Sequence, residues 1–393
     1  MRFLIFFLIL VVCSTCVADE ALISPELTQG VELFNNAQLI EAYSFFQKYV
    51  QKDPEDPAAN FLLALSKWRI MWLSTYNDFD KEELTGLLDR VNQLCEAQTE
   101  QKSDCAFFNA SVTGIRAQIT ATENQWWETA QLGKKMKHQS ADILEANSEY
   151  YPALYLLGSY NYFADALPGY LKFLRSLVFL PGGDRTQGLK QLITAYQKGG
   201  VVSGEAGRTL AIIYTYFEKK PKYGVLMCDN LLTTYPLGYD VSLYRGINLY
   251  FNKSWEKSLA QMDLVHKQVR EYSQKHSSVK DHTMPADIVY VFRPLEREAR
   301  YWMSRDLIQL ERYDEAQELL LGLANPPVHQ PYWLIRWVYL SLAQIEYEKK
   351  NPEAASVWIE KVLAWKDVKD STDKARLLQK KREKVDTFDI DIR

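Results

Sequence analysis

Apolar residues recur at intervals of three and four along almost the whole chain, and no stretch alternates apolar and polar positions for long enough to make a strand. The pattern predicts an all-α protein. Over about residues 24–54, Leu33 and Phe34 on one helix and Tyr43 and Phe46 on the next supply facing apolar sides, with Asn35-Asn36 as the turn. Pro54 and Pro57 stop the second helix, because proline lacks the amide hydrogen and clashes with the preceding turn. The next two helix pairs, about 57–100 and 104–146, are long and irregular, made bulky by Trp68, Trp72, Trp126 and Trp127.

Gly30, Ala42, Phe46 and Pro54 mark a spacing that returns later in the chain. Ala211, Gly224, Cys228 and Pro236 follow it with one inserted residue; Gly246, Ser258 and Met262 follow it without insertion. Ser304, Ala316 and Leu320 repeat it, then Ala343, Ala355 and Ile359. A helix-turn-helix unit of about 34 residues is the period of a stacked α-solenoid. Small residues recur because paired helices cross there and a larger side chain would push them apart. Stacking also removes the size limit on a single core, so residues 19–366 are expected to make one elongated domain. From about residue 367 to 393 the chain turns polar, with Leu377, Leu378 and Val385 as a last capping helix before a loose acidic end.

These residues resemble the tetratricopeptide repeat family, most closely in the first unit and the last four. The resemblance implies a right-handed superhelix whose first helices line a concave groove for peptides or partner proteins. Carried over unit by unit, the groove positions are Arg208, Ile212, Tyr250, Tyr301, Arg305, Trp337, Gln344 and Tyr347. That mixture of aromatic and polar side chains suits an extended peptide or an amphipathic helix. The alternative is that Trp337 and Tyr347 pack on the neighbouring helix. The lysine and asparagine set with which some members grip a terminal carboxylate is not visible here.

Residues 149–188 are the least repeat-like, an apolar insertion between the helices of one unit that stacking does not need. In the closing loop Gly182 and Gly183 permit a tight bend, and Asp184 can cap a helix starting near Arg185. The stretch is similar to one in uncharacterised exported bacterial tetratricopeptide proteins. It is more distantly similar to a eukaryotic repeat family associated with outer mitochondrial membranes and clearance of protein inclusions. Neither likeness supplies a reaction. Three readings stay open: a helix folding back to fill the superhelix, a partner-docking or lipid-facing element with Lys172 and Arg175 beside an acidic headgroup, and a small-ligand pocket closed by the glycine loop.

Arg2, the apolar run from Phe3 to Val12 and the small residues Cys16 and Ala18 have the layout of a secretory signal over residues 1–18. Export to the periplasm or cell envelope is therefore expected; an acylated Cys16 is the lipoprotein alternative. After cleavage Cys95, Cys105 and Cys228 are left. An oxidising compartment allows a Cys95–Cys105 disulfide across a polar corner, worth about 2 to 3 kcal/mol for so short a loop. Cys228 reads as a buried small hydrophobe.

The formal net charge of −4 gives no electrostatic footprint for nucleic acid. His138, His266, His276, His282 and His329 are dispersed, so no metal site is expected, and neither a phosphate-binding loop nor a nucleophile elbow is present. Asn109 and Asn252 begin glycosylation sequons, relevant only in a eukaryotic secretory pathway. The expectation is an exported, non-enzymatic scaffold without cofactor that binds a protein or peptide partner, with peripheral lipid contact admitted. The alternative is a ligand-binding or lipid-associated accessory subunit of an envelope transport system.

Overall fold

The computed structural model describes residues 23–73, 78–98, 102–166, 182–277, 293–324, 334–364 and 371–381. The signal segment, Lys172, Arg175, His282, His329 and Val385 lie outside them. The described residues form α-helices and no strand. Unit one pairs α1 (Thr28–Asn35) with α2 (Leu39–Lys52), unit two α3 (Pro57–Leu73) with α4 (Asp78–Ala97), and unit three α5 (Lys102–Thr122) with α6 (Trp126–Ala146). Unit four joins α7 (Pro152–Ala166) to α8 (Arg185–Lys198), and unit five α9 (Ser203–Ile212) to α10 (Pro221–Thr234). Units six, seven and eight are α11 (Tyr239–Phe251) with α12 (Trp255–Ser277), α13 (Arg293–Gln309) with α14 (Tyr313–Ala324), and α15 (Leu334–Glu348) with α16 (Pro352–Leu363). A last helix, α17 (Ser371–Lys381), buries Ala375 and Leu378 against the end of the stack and leaves Leu377 exposed.

Each helix packs on the next, and the first helices of successive units also touch, as in α3 with α5 and α13 with α15. The small residues of the repeat sit at the crossings. A β-carbon on Gly246 would lie 2.5 Å from Met262 Cε, and one on Gly30 2.5 Å from Phe46 Cε1. Met262 and Phe46 are themselves fully buried.

The turns inside the units share a geometry that glycine does not mark. Ala37, Asn124, Lys253, Glu311 and Lys350 all adopt positive φ, between 57° and 60°. The following amide bonds back five residues: Gln38 N donates to Leu33 O, Ser254 N to Leu249 O and Arg312 N to Leu307 O at 2.9, 3.0 and 2.9 Å. This is the left-handed helix stop that satisfies orphan carbonyls. Unit five departs in an instructive way. Its first helix ends in a π-helical turn, Ile213–Phe217, and Lys220 N reaches back to Tyr214 O. The π turn takes up the extra residue between Ala211 and Gly224, leaving both at their crossing positions.

The superhelix closes on itself. The far end of unit one and the C-terminal half of α3 meet the near ends of units five and six, so that residues about two hundred positions apart touch, as Asn36 and Leu237 do. The candidate groove positions lie along and beyond this seam.

Candidate binding surfaces

At the seam, Arg208 of α9 donates to the Asn35 carbonyl and, at 3.1 Å, to Asn35 Oδ1. It thereby satisfies a helix C-terminus that has no further turn to bond to. The same guanidinium approaches Asp240 Oδ2 at 3.2 Å, and Arg69 of α3 pairs with both Asp240 and Glu205. Burial alone would push the Asp240 carboxyl up; Arg208 and Arg69 more than offset it and hold it below the usual carboxylate range. A second polar cluster lies outward of the first. Tyr272 of α12 donates to Glu41 at 2.5 Å and accepts from Ile40 N at 3.2 Å, while Lys275 and His276 approach the same carboxylate at 3.0 and 3.1 Å.

The other groove candidates are also engaged internally. Tyr250, Tyr301, Arg305, Trp337 and Gln344 are all buried, Tyr301 and Trp337 completely. Arg305 donates to Ser341 Oγ and Gln344 Oε1 at 3.2 Å each and to the Tyr250 hydroxyl at 3.4 Å, linking units six, seven and eight. Tyr347 and Ile212 are half-buried. Arg208 and Arg305 thus link separate units, while Tyr250, Tyr301, Trp337 and Gln344 are buried in this conformation. Trp337 is fully buried, with the Lys374 ammonium 5.8 Å from its ring centre.

The glycine loop is a close helix junction. A β-carbon on Gly183 would lie 2.1 Å from Asn161 O and 2.8 Å from Asp165 N, both backbone atoms. Asp184 caps α8 by accepting from Gln187 N at 2.9 Å. Arg185 donates to Glu218 Oε1 at 2.7 Å and to Phe217 O at 3.1 Å, and its guanidinium stands 5.3 Å from the Tyr162 ring centre. Tyr162 donates to the same Glu218 oxygen at 2.9 Å. Arg185 thus ties unit four to the π turn of unit five.

The expected Cys95–Cys105 disulfide is corrected. Both are free, buried thiols. They meet by a sulfur hydrogen bond across the corner between α4 and α5 without coming to bonding distance. Burial pushes both thiols up, and Cys228, buried in unit five, is likewise raised. No thiolate is favoured at any of the three.

Sequence reasoning placed Trp72, Trp126 and Trp127 in bulky helices without assigning them a face. They are 53%, 51% and 59% exposed. Trp72 lies at the end of α3 and Trp126 at the start of α6, and the antiparallel succession of α3 to α6 puts these termini on one rim of units two and three. The Lys81–Glu123 ion pair ties α4 to the α5–α6 turn on that rim. Trp68, buried beneath, stacks obliquely on Trp72 at 5.3 Å. Periodicity offered no signal for this exposure, since adjacent aromatic pairs elsewhere, such as Phe107 and Phe108, are both buried. Among the described residues no three His, Cys, Asp or Glu side chains are gathered as for a metal, and no helix is long and apolar enough to cross a membrane.

No protein-family profile and no curated protein sequence matches the chain. Solved structures do. A signal-transduction ATPase with numerous domains and a tetratricopeptide repeat sensor, from Pyrococcus horikoshii, superposes with a TM-score of 0.51 at 13% identity, over 91% of this chain and 49% of that one. The chain therefore spans about half of that protein. PilW, a type IV pilus biogenesis factor, aligns over 65% of this chain and 92% of its own with a TM-score of 0.36 and 12% identity. The fold is a tetratricopeptide-like α-solenoid.

Proposed function

We propose that the chain is a non-enzymatic interaction scaffold, exported to the cell envelope, that holds a protein or peptide partner. The observation that carries this reading is the rim of Trp72, Trp126 and Trp127 on a solenoid in which Tyr250, Tyr301, Arg305, Trp337 and Gln344 are buried. Tryptophan joins a large apolar area to one polar handle and is enriched among the residues that dominate protein interfaces. Three half-exposed indoles on one rim leave apolar area that a partner can cover. Helix-turn-helix stacking supports the same reading, because it builds extended surfaces from rigid units.

The test is a crosslinked pull-down from an envelope fraction, reading proteins and lipids by mass spectrometry, with the native chain beside Trp126→Ala/Trp127→Ala. The expected outcome is a recurrent protein partner lost in the double variant while its thermal unfolding is unchanged. Capture of lipid alone would replace the scaffold with the second reading, a lipid-associated accessory subunit. That reading is favoured by one observation only: tryptophan is also the side chain that sits at membrane interfaces.

A further inference from the structure

The seam that closes the superhelix is built around charged groups, Arg69, Glu205, Arg208 and Asp240. Neighbouring helices meet at apolar crossings, as where Met262 packs on Gly246, with polar links such as Arg305 to Gln344 beside them. Across the seam the contacts include hydrogen bonds and ion pairs, Arg69 to Glu205 and Asp240, Arg208 to Asn35, and Tyr272 to Glu41, beside the close packing of Gly204 on Asn35. In a solenoid each unit is held by its sequence neighbours, so parting two distant units costs only what joins them directly.

We propose that this seam is a latch: the arm formed by units one and two swings away from units five and six as a body, exposing Arg69, Glu205, Arg208 and Asp240. Burying charges is costly, and breaking a seam made of them returns that cost as hydration. An apolar seam would have no such return. Interfaces of polar composition between folded parts of one chain characteristically allow relative motion. The surface uncovered has a defined chemistry, since Arg208 receives a helix-terminal carbonyl together with a carboxamide, here both from Asn35. The latch rests on the seam alone and holds whether or not the chain is a scaffold.

Hydrogen–deuterium exchange on the full chain tests it. In Arg69→Gln, which removes both of its ion pairs, the amides whose acceptors lie across the seam, Ile40 with Tyr272 and Leu237 with Asn36, should exchange about tenfold faster or more than in the native chain, with α13 to α16 unchanged. Uniform acceleration through all helices would show that Arg69 serves the whole fold, and no acceleration would show that the pairs hold nothing shut; either result overturns the latch. A second variant guards against misfolding. Asn36 Oδ1 accepts from Leu237 N at 3.2 Å, so Asn36→Cys/Leu237→Cys can be joined by a short thiol-to-thiol crosslinker in an otherwise native chain. Bridging should slow exchange of the Ile40 amide about tenfold relative to the unbridged form. Equal exchange in bridged and unbridged forms would mean that the seam does not open.

Discussion

Replacing Asp306 with asparagine should stabilise the chain by an amount that grows with pH. Asp306 lies on α13 and is fully buried. Ser258 Oγ stands 2.8 Å from Asp306 Oδ2 and 3.0 Å from the Gly246 carbonyl. One hydroxyl proton serves one of these acceptors, so both contacts are made only if Asp306 keeps its own proton and donates it to Ser258. Burial pushes the carboxyl up to about 8, although Ser258 and the neighbouring Arg305 pull it down. In the unfolded chain the same group titrates near about 3.9. Between those values the native state holds a proton that the unfolded state has released. The stabilisation is thus complete below about pH 4 and is lost as pH rises towards about 8. One proton corresponds to about 1.4 kcal/mol per pH unit, or about 6 kcal/mol over the whole window. Urea unfolding of the native chain and Asp306→Asn, measured side by side from about pH 5 to about pH 7, cancels the titration of every other group. The variant should gain about 3 kcal/mol on the native chain across that interval. A difference that stays constant with pH would refute the buried, protonated acid.

Three further outcomes are expected. Trp337→Ala and Tyr301→Ala each empty a fully buried site and should cost about 3 to 5 kcal/mol apiece, so the double variant should lose its cooperative thermal unfolding; a stable double variant would restore these residues to an open groove. Glu311→Gly and Lys350→Gly relieve left-handed turns at φ 60° and 57° and should each raise stability by about 0.5 to 1 kcal/mol in urea, a loss in both showing that the turns carry no strain. Cys95, Cys105 and Cys228 should resist iodoacetamide at mildly alkaline pH until denaturant is added, because burial raises all three thiols; rapid labelling of the native chain would show that the corner between α4 and α5 opens.

Much of the fold was legible because the repeat writes its packing into small residues. Gly30 against Phe46 and Gly246 against Met262 are contacts that the spacing anticipates, and the residue inserted before Gly224 reappears as a π turn. Asp184 at a helix start was equally readable, since its side chain has a local amide to accept from. The left-handed turns were not legible, because Lys253, Glu311 and Lys350 stand where glycine or asparagine would have announced them. The closed seam was hidden for a different reason. Periodicity says which face of a helix turns inward, whereas the pairing of Arg69 with Asp240 depends on superhelical pitch summed over four units. For the same reason Arg208 was assigned to the inner wall but not to the Asn35 that it holds. For the thiols, sequence separation permits a bond between Cys95 and Cys105, and only the directions of two helices decide that they merely touch.

The most direct test of the closed superhelix is a spin–spin distance between labels at positions 36 and 237, which the seam brings together through the Asn36 side chain and the Leu237 amide. Strong dipolar broadening is expected in the native chain, lost in urea and reduced by Arg69→Gln. Labels that report only long separations under native conditions would mean that the superhelix is open, and the buried roles assigned to Arg69, Arg208 and Asp240 would fall with it.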